Sequence, residues 1–224
     1  VDQLLHEKMS HMENPSLATY AKPCEVRLRA TAKAASQAEA EAMLAPVVAE
    51  VRAALGDYVY GVDVKGLEAV CFQLLKERNL TLSTAESCTG GRVAERITAL
   101  PGVSSVYRGG VVSYWTSVKA DVLGVPQKIL DQHGAVSEET ARAMAEGARR
   151  ITGADIAVSV TGVAGPDPDD RGNPVGLIYV GLADPNRTWV RTLHLSYSRG
   201  RNRNMACHHG FDMVRRYLTG LEIE

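Results

Sequence analysis

The chain has 224 residues, about one and a half domains' worth, so one full domain and a smaller one are expected. With 45% hydrophobic and 23% charged residues it has the apolar content to bury a core, which excludes disorder for most of its length. Twenty-five basic side chains against 26 acidic ones leave a formal charge of -1, so no global field draws in duplex nucleic acid or an acidic membrane surface.

Residues 1–13 read as the residual helix and linker of a missing upstream domain, because the sequence opens at Val1, without methionine, inside a helical pattern. Asn14-Pro15 and Lys22-Pro23 mark an irregular connector, since proline biases the residue before it away from helix. From Glu25 to Ala32, Val26, Leu28 and Ala30 alternate with Arg27, Arg29 and Thr31, the period of a half-buried strand. Ser36-Gln37-Ala38-Glu39 matches a capping box and opens an alanine-rich helix to about Leu55, closed by Gly56. Tyr58 to Val62 reads as a second strand, so residues 14–63 form a small β-α-β module.

From residue 64 to 224 longer strands and helices alternate. Helices are expected at Gly66–Arg78, Thr89–Ala99, Val118–Leu123, Gln127–Gln132, Ser137–Ile151 and Arg201–Leu218. Strands are expected at Leu80–Ala85, Tyr107–Trp115 and Asp155–Val160, followed by a hairpin of Val175–Ala183 and Thr188–Leu195 around Asp184-Pro185-Asn186. The order predicts an α/β fold: a three-layer α/β/α domain with a mixed, mostly parallel sheet.

Four stretches can carry chemistry. Thr84-Ala85-Glu86-Ser87-Cys88-Thr89-Gly90-Gly91 lies where a strand ends and a helix begins, a crevice where first-turn N–H groups can hold an anion. Two readings fit it: a reactive Ser87, or a Ser87 or Thr89 that only caps the helix. Tyr114 lies near the end of the next strand and Lys119 about one turn into the following helix, so both reach the same sheet edge. A lysine there is either a solvated surface charge or, if burial brings its pKa towards neutrality, a base for serine. Thr161-Gly162-Val163-Ala164-Gly165-Pro166 is either a ligand-wrapping loop or a turn at the sheet edge. Arg199, Arg201 and Arg203 precede the last helix, where a guanidinium can grip a phosphate.

Cys88, beside the Gly-Gly pair, is a second nucleophile candidate, without an evident histidine to activate it. The four cysteines are widely spaced with no C-x-x-C pair, and the six histidines make no ligand spacing with them. A reduced, cytoplasmic protein without a bound metal is expected. No apolar run approaches the roughly 20 residues of a membrane helix, so no membrane partner is expected. Walker A, G-x-G-x-x-G, H-E-x-x-H and G-x-S-x-G strings do not occur, which removes several common enzyme classes.

Thr84 to Gly91, Gly110 to Lys119 with Leu123-Gly124-Val125, Gly134-Ala135-Val136-Ser137, Thr161 to Pro166 and Pro174-Val175-Gly176 together resemble the C-terminal domain of the competence/damage-inducible (CinA) family. Residues 14–61 are similar to the KH-type module that precedes it. The resemblance implies a nicotinamide mononucleotide deamidase, which hydrolyses the substrate's carboxamide to nicotinate mononucleotide and ammonia without a cofactor and recycles pyridine nucleotides.

Carried over by the same resemblance, Ser87 is the nucleophile, with Lys119 as its base, acting directly or through Tyr114. The N–H groups of Thr89, Gly90 and Gly91 hold the oxyanion. Thr161 and Gly162 contact substrate, and Arg201 neutralises the phosphate. Departures from the family pattern are Asp167-Pro168-Asp169-Asp170 in the glycine loop and Arg199-Gly200-Arg201 before the last helix. A homodimer is expected and nucleic acid is not, since the module lacks a G-x-x-G clamp loop despite Arg27, Arg29 and Lys33. The rival reading is a non-catalytic nucleotide-binding module that regulates a larger protein.

Overall fold

The computed structural model describes residues 1–223, which form two compact units, residues 1–62 and residues 63 onward.

In the first unit, helix α1 (Asp2–His11) precedes an antiparallel hairpin of β1 (Ser16–Lys22) and β2 (Glu25–Thr31), and α2 (Gln37–Leu55) follows. Leu5, Leu17, Val47, Val51 and Leu55 make its core. The helix read as a residual linker therefore supplies Leu5 to the module. The order is α-β-β-α rather than β-α-β. Strand β1 carries one buried residue, Leu17, among exposed ones, so it has no alternation to read, and the prolines at its two ends mimic a loop. Tyr58 to Val62 is not a strand: Gly56–Tyr58 is a 3₁₀ turn and irregular chain follows it. The Ser36 cap is present, its hydroxyl accepting from Glu39 N–H at 3.2 Å.

The second unit contains α3 (Leu67–Glu77), β3 (Leu82–Glu86), α4 (Arg92–Thr98), β4 (Tyr107–Val112), α5 (Thr116–Asp121) and α6 (Gln127–His133). After these come α7 (Glu138–Thr152), β5 (Ile156–Gly162), β6 (Leu177–Ala183), β7 (Thr188–His194) and α8 (Arg199–Thr219). The sheet order is β4-β3-β5-β6-β7. Strands β4, β3 and β5 are parallel, β6 is antiparallel to β5, and β7 is antiparallel to β6, so four of the five strands share one direction. The two faces are covered separately, as the nearly continuous apolar β5 requires. On one face Ala85, Ala157 and Ser159 meet α7, the Ser159 hydroxyl donating to the Ala141 carbonyl at 2.6 Å. On the other face lie α3, α4 and α8, and Gly210 of α8 packs closely on Val158, a Cβ there lying 3.1 Å from the valine methyl.

This topology makes the crevice. From the interior strand β3 the chain crosses by α4 to β4 on one side, then returns by α7 on the opposite face to β5 on the other side. The carboxyl ends of β3, β4 and β5 therefore open on a topological switch point. Among the described residues no helix is long and apolar enough to cross a membrane.

Candidate active site

Ser87 directly follows β3, and its N–H donates to the Val160 carbonyl of β5 at 2.8 Å, which fixes the turn to the neighbouring strand. Gly90 and Gly91 adopt φ of +60° and +91°, a left-handed backbone suited to glycine, so the chain turns sharply before α4. Helix α4 accordingly starts at Arg92, three residues later than its sequence suggests. Its first-turn donors are not open to a ligand: the buried Glu86 carboxylate accepts from Val93 N–H at 3.0 Å and from Ala94 N–H at 2.8 Å. Within the turn at 87–91, the N–H groups of Cys88, Thr89 and Gly91 meet no backbone carbonyl among the described residues.

Lys119, on α5, is 1% exposed. Its Nζ donates to the Ser113 carbonyl at 2.6 Å and lies 3.0 Å from Ser87 Oγ. Burial without a carboxylate partner disfavours the ammonium form and lowers its pKa to about 8. An uncharged amine can donate an N–H hydrogen bond to the Ser113 carbonyl and offer its lone pair to the Ser87 hydroxyl. Cys88 also borders the crevice, but burial pushes its thiol up to about 12, so little thiolate exists at neutral pH. Of the two candidate nucleophiles, only Ser87 has the lysine on its reactive atom.

The crevice has a volume of about 510 Å³, within the range of small-ligand sites. Ser87, Tyr114, Lys119 and Gly162 all line it. Gly162 presents bare backbone, because a Cβ there would lie 2.6 Å from Ile178 Cα. The Tyr114 hydroxyl is bonded not to Ser87 or Lys119 but to Arg199, whose Nη2 donates to it at 3.1 Å. Lys119 Nζ therefore meets Ser87 Oγ directly, and among the described residues no hydrogen bond links either of them to Tyr114.

Thr89, Gly90, Gly91, Thr161 and Arg201 do not reach the wall. Thr89 and the two glycines form the turn behind Ser87. Thr161 is fully buried and donates to the Ala135 carbonyl at 2.6 Å, tying β5 to the loop at 134–136. Arg201 stacks over the Tyr197 ring, 3.9 Å from its centroid. Two arginines line the crevice, Arg171 and Arg199, and Arg199 also donates to the Gly165 carbonyl. Because α8 begins at Arg199 rather than Arg201, residues 199 and 203 share one helix face and residue 201 looks elsewhere. Asp167, Asp169, Asp170 and Arg171 complete one side of the opening. Arg171 is held there by the carbonyls that end α6, with Nη2 donating to Leu130 and Asp131.

Residues 64–218 match the model of the CinA C-terminal domain, and residues 1–61 match that of the damage-inducible protein CinA KH domain. The chain belongs to the CinA family. It is 46% identical over 214 residues to a CinA-like protein of Desulfovibrio desulfuricans, covering 94% of this chain and 50% of that protein. It is 44% identical over 221 residues to a CinA-like protein of Kosmotoga olearia, covering 99% and 54%. The chain thus spans about half the length of these relatives. Among solved structures, a competence/damage inducible protein CihA from Agrobacterium tumefaciens superposes with a TM-score of 0.65 at 34% identity, over 68% of this chain and 93% of that one. A CinA superfamily protein from Klebsiella pneumoniae superposes with a TM-score of 0.67 at 28% identity, over 69% and 96%.

Proposed function

We propose that this CinA-family chain is an amidohydrolase that converts nicotinamide mononucleotide to nicotinate mononucleotide and ammonia. The observation that carries the reading is the buried Lys119 amine, 3.0 Å from Ser87 Oγ and with its pKa lowered to about 8, at the wall of a mononucleotide-sized crevice. Lys119 Nζ takes the Ser87 proton while Oγ bonds to the carboxamide carbon. The resulting oxyanion lies against the Cys88 side of the turn. As the C–N bond breaks, the Lys119 ammonium returns its proton to the departing nitrogen and ammonia leaves. Water then gives a proton to Lys119 and attacks the ester carbon. Collapse of that second adduct releases the acid, and Lys119 reprotonates Ser87. Every proton is carried by the chain's own lysine, and no cofactor takes part.

Arg199 assumes the phosphate role expected of Arg201: of the two arginines at the wall, Arg171 has its guanidinium on the carbonyls of Leu130, Asp131 and Gln132, and Tyr114 orients Arg199. The homodimer belongs to this reading, with the exposed Val112 and Trp115 beside the edge strand β4 as the surface to cover.

The test is ammonia release from nicotinamide mononucleotide by the purified protein; binding without turnover favours the regulatory module instead. Arg199→Ala is expected to raise KM about ten- to a hundredfold with a much smaller effect on kcat, as for loss of a charge-assisted contact to phosphate. Steady-state kinetics measure this, and an unchanged KM would remove the phosphate role from Arg199.

A further inference from the structure

We propose that Arg203 is a positioning residue for this reaction, holding the Ser87–Gly90 turn so that its backbone favours negative charge at the reacting carbon. The inference rests on the amidohydrolase reading. Arg203 reaches from α8 to the back of the turn, its Nε donating to the Cys88 carbonyl at 2.9 Å and its Nη2 to the Thr89 carbonyl at 2.6 Å. It does not line the crevice, whereas Cys88 does. Two carbonyl dipoles are therefore turned away from the reacting carbon by one guanidinium fork, whose rigid geometry suits two acceptors at once.

The peptide unit is planar, so fixing a carbonyl fixes the N–H across the same bond. The Ser87 carbonyl is held by Gly90 N–H at 3.0 Å and the next two carbonyls by Arg203, so three consecutive peptide planes are set. The first of them carries the Cys88 N–H, which meets no backbone carbonyl among the described residues. Without Arg203, the glycine-rich end of the turn could rotate and bring a carbonyl lone pair towards the oxyanion. The α4 terminus cannot substitute, because Glu86 occupies its N–H groups. Gly90 adds a second constraint: its φ of +60° favours glycine, and a Cβ there would lie 3.1 Å from Arg203 Nη2, a tight approach that would press on the fork.

The test compares ammonia release from nicotinamide mononucleotide and from its thioamide analogue in wild type, Arg203→Met and Arg203→Lys, with a Ser87→Ala control. Sulfur accepts hydrogen bonds poorly, so an ordered oxyanion site favours the amide. Arg203→Met is expected to lower kcat on the amide by about 30- to 100-fold, with KM within about threefold and the amide-to-thioamide preference reduced. Arg203→Lys, which keeps one charged donor, should recover part of both, and it carries the test if the methionine variant does not fold. Unchanged kcat in both variants, or a kcat loss with the thioamide preference intact, overturns the inference. Absence of turnover in wild type, or full activity of Ser87→Ala, instead overturns the amidohydrolase reading on which it rests.

Discussion

Ser87→Ala is expected to lower kcat by about ten-thousandfold or more, as for other enzymes deprived of a covalent nucleophile. The fold should survive, because the bonds that seat the turn are made by the Ser87 backbone: its N–H to Val160 and its carbonyl to Gly90 N–H. The Lys119 amine keeps its contact with the Ser113 carbonyl. The same variant separates the two candidate nucleophiles. A Cys88 thiol pushed up to about 12 has little thiolate to offer, so residual activity in Ser87→Ala should not depend on thiol reagents. Circular dichroism and thermal melting of the variant check that the loss is chemical.

Lys119→Met removes the base while keeping a similar unbranched volume in the core. Activity is expected to fall about a thousandfold or more, the range for loss of a general base. Stability at neutral pH should rise. The unfolded lysine has its ordinary value of 10.5, and the folded one about 8. Between those values the unfolded chain binds more protons than the native one, so wild-type stability increases with pH across that window. Below about 8 both states are protonated and the full penalty of burying the ammonium remains. The melting temperature of Lys119→Met should therefore exceed that of wild type most clearly at and below neutral pH, with the gap closing as pH approaches 10.5. The unpaired Ser113 carbonyl offsets part of the gain. A variant less stable than wild type throughout would mean that Lys119 is not held against its charge.

Much of this site is legible in the sequence, and the rest is not for identifiable reasons. The buried strand β5 and the Ser137 cap of α7 follow from an apolar run and capping chemistry, which are local. The sheet-edge placement of Ser87 and Lys119 follows from the element order, but their pairing is implied only by the family resemblance, because nothing local tells a buried lysine from a solvated one. The weakly alternating β1 has no such signature, because six of its seven residues are half-buried or exposed. Arg201 is carried over from the family motif, and which arginine faces the crevice is set by helix phase: α8 starts at Arg199, and residues two apart on a helix look to different faces. The earlier start is held by Asn202, whose buried amide bonds Tyr197 and the Ala164 carbonyl, partners that are distant or irregular in sequence. Glu86 is likewise silent: nothing in Thr84-Ala85-Glu86-Ser87 tells that its carboxylate turns inward to cap α4.

The central claim is that an uncharged Lys119 removes the Ser87 proton, and the pH dependence of kcat/KM for nicotinamide mononucleotide tests it most directly. Measured from about pH 6 to about pH 10, the rate constant should climb tenfold per pH unit at the acid end and level off around a midpoint near 8. A profile that is flat through that range, or one that falls as the lysine loses its proton, would contradict it.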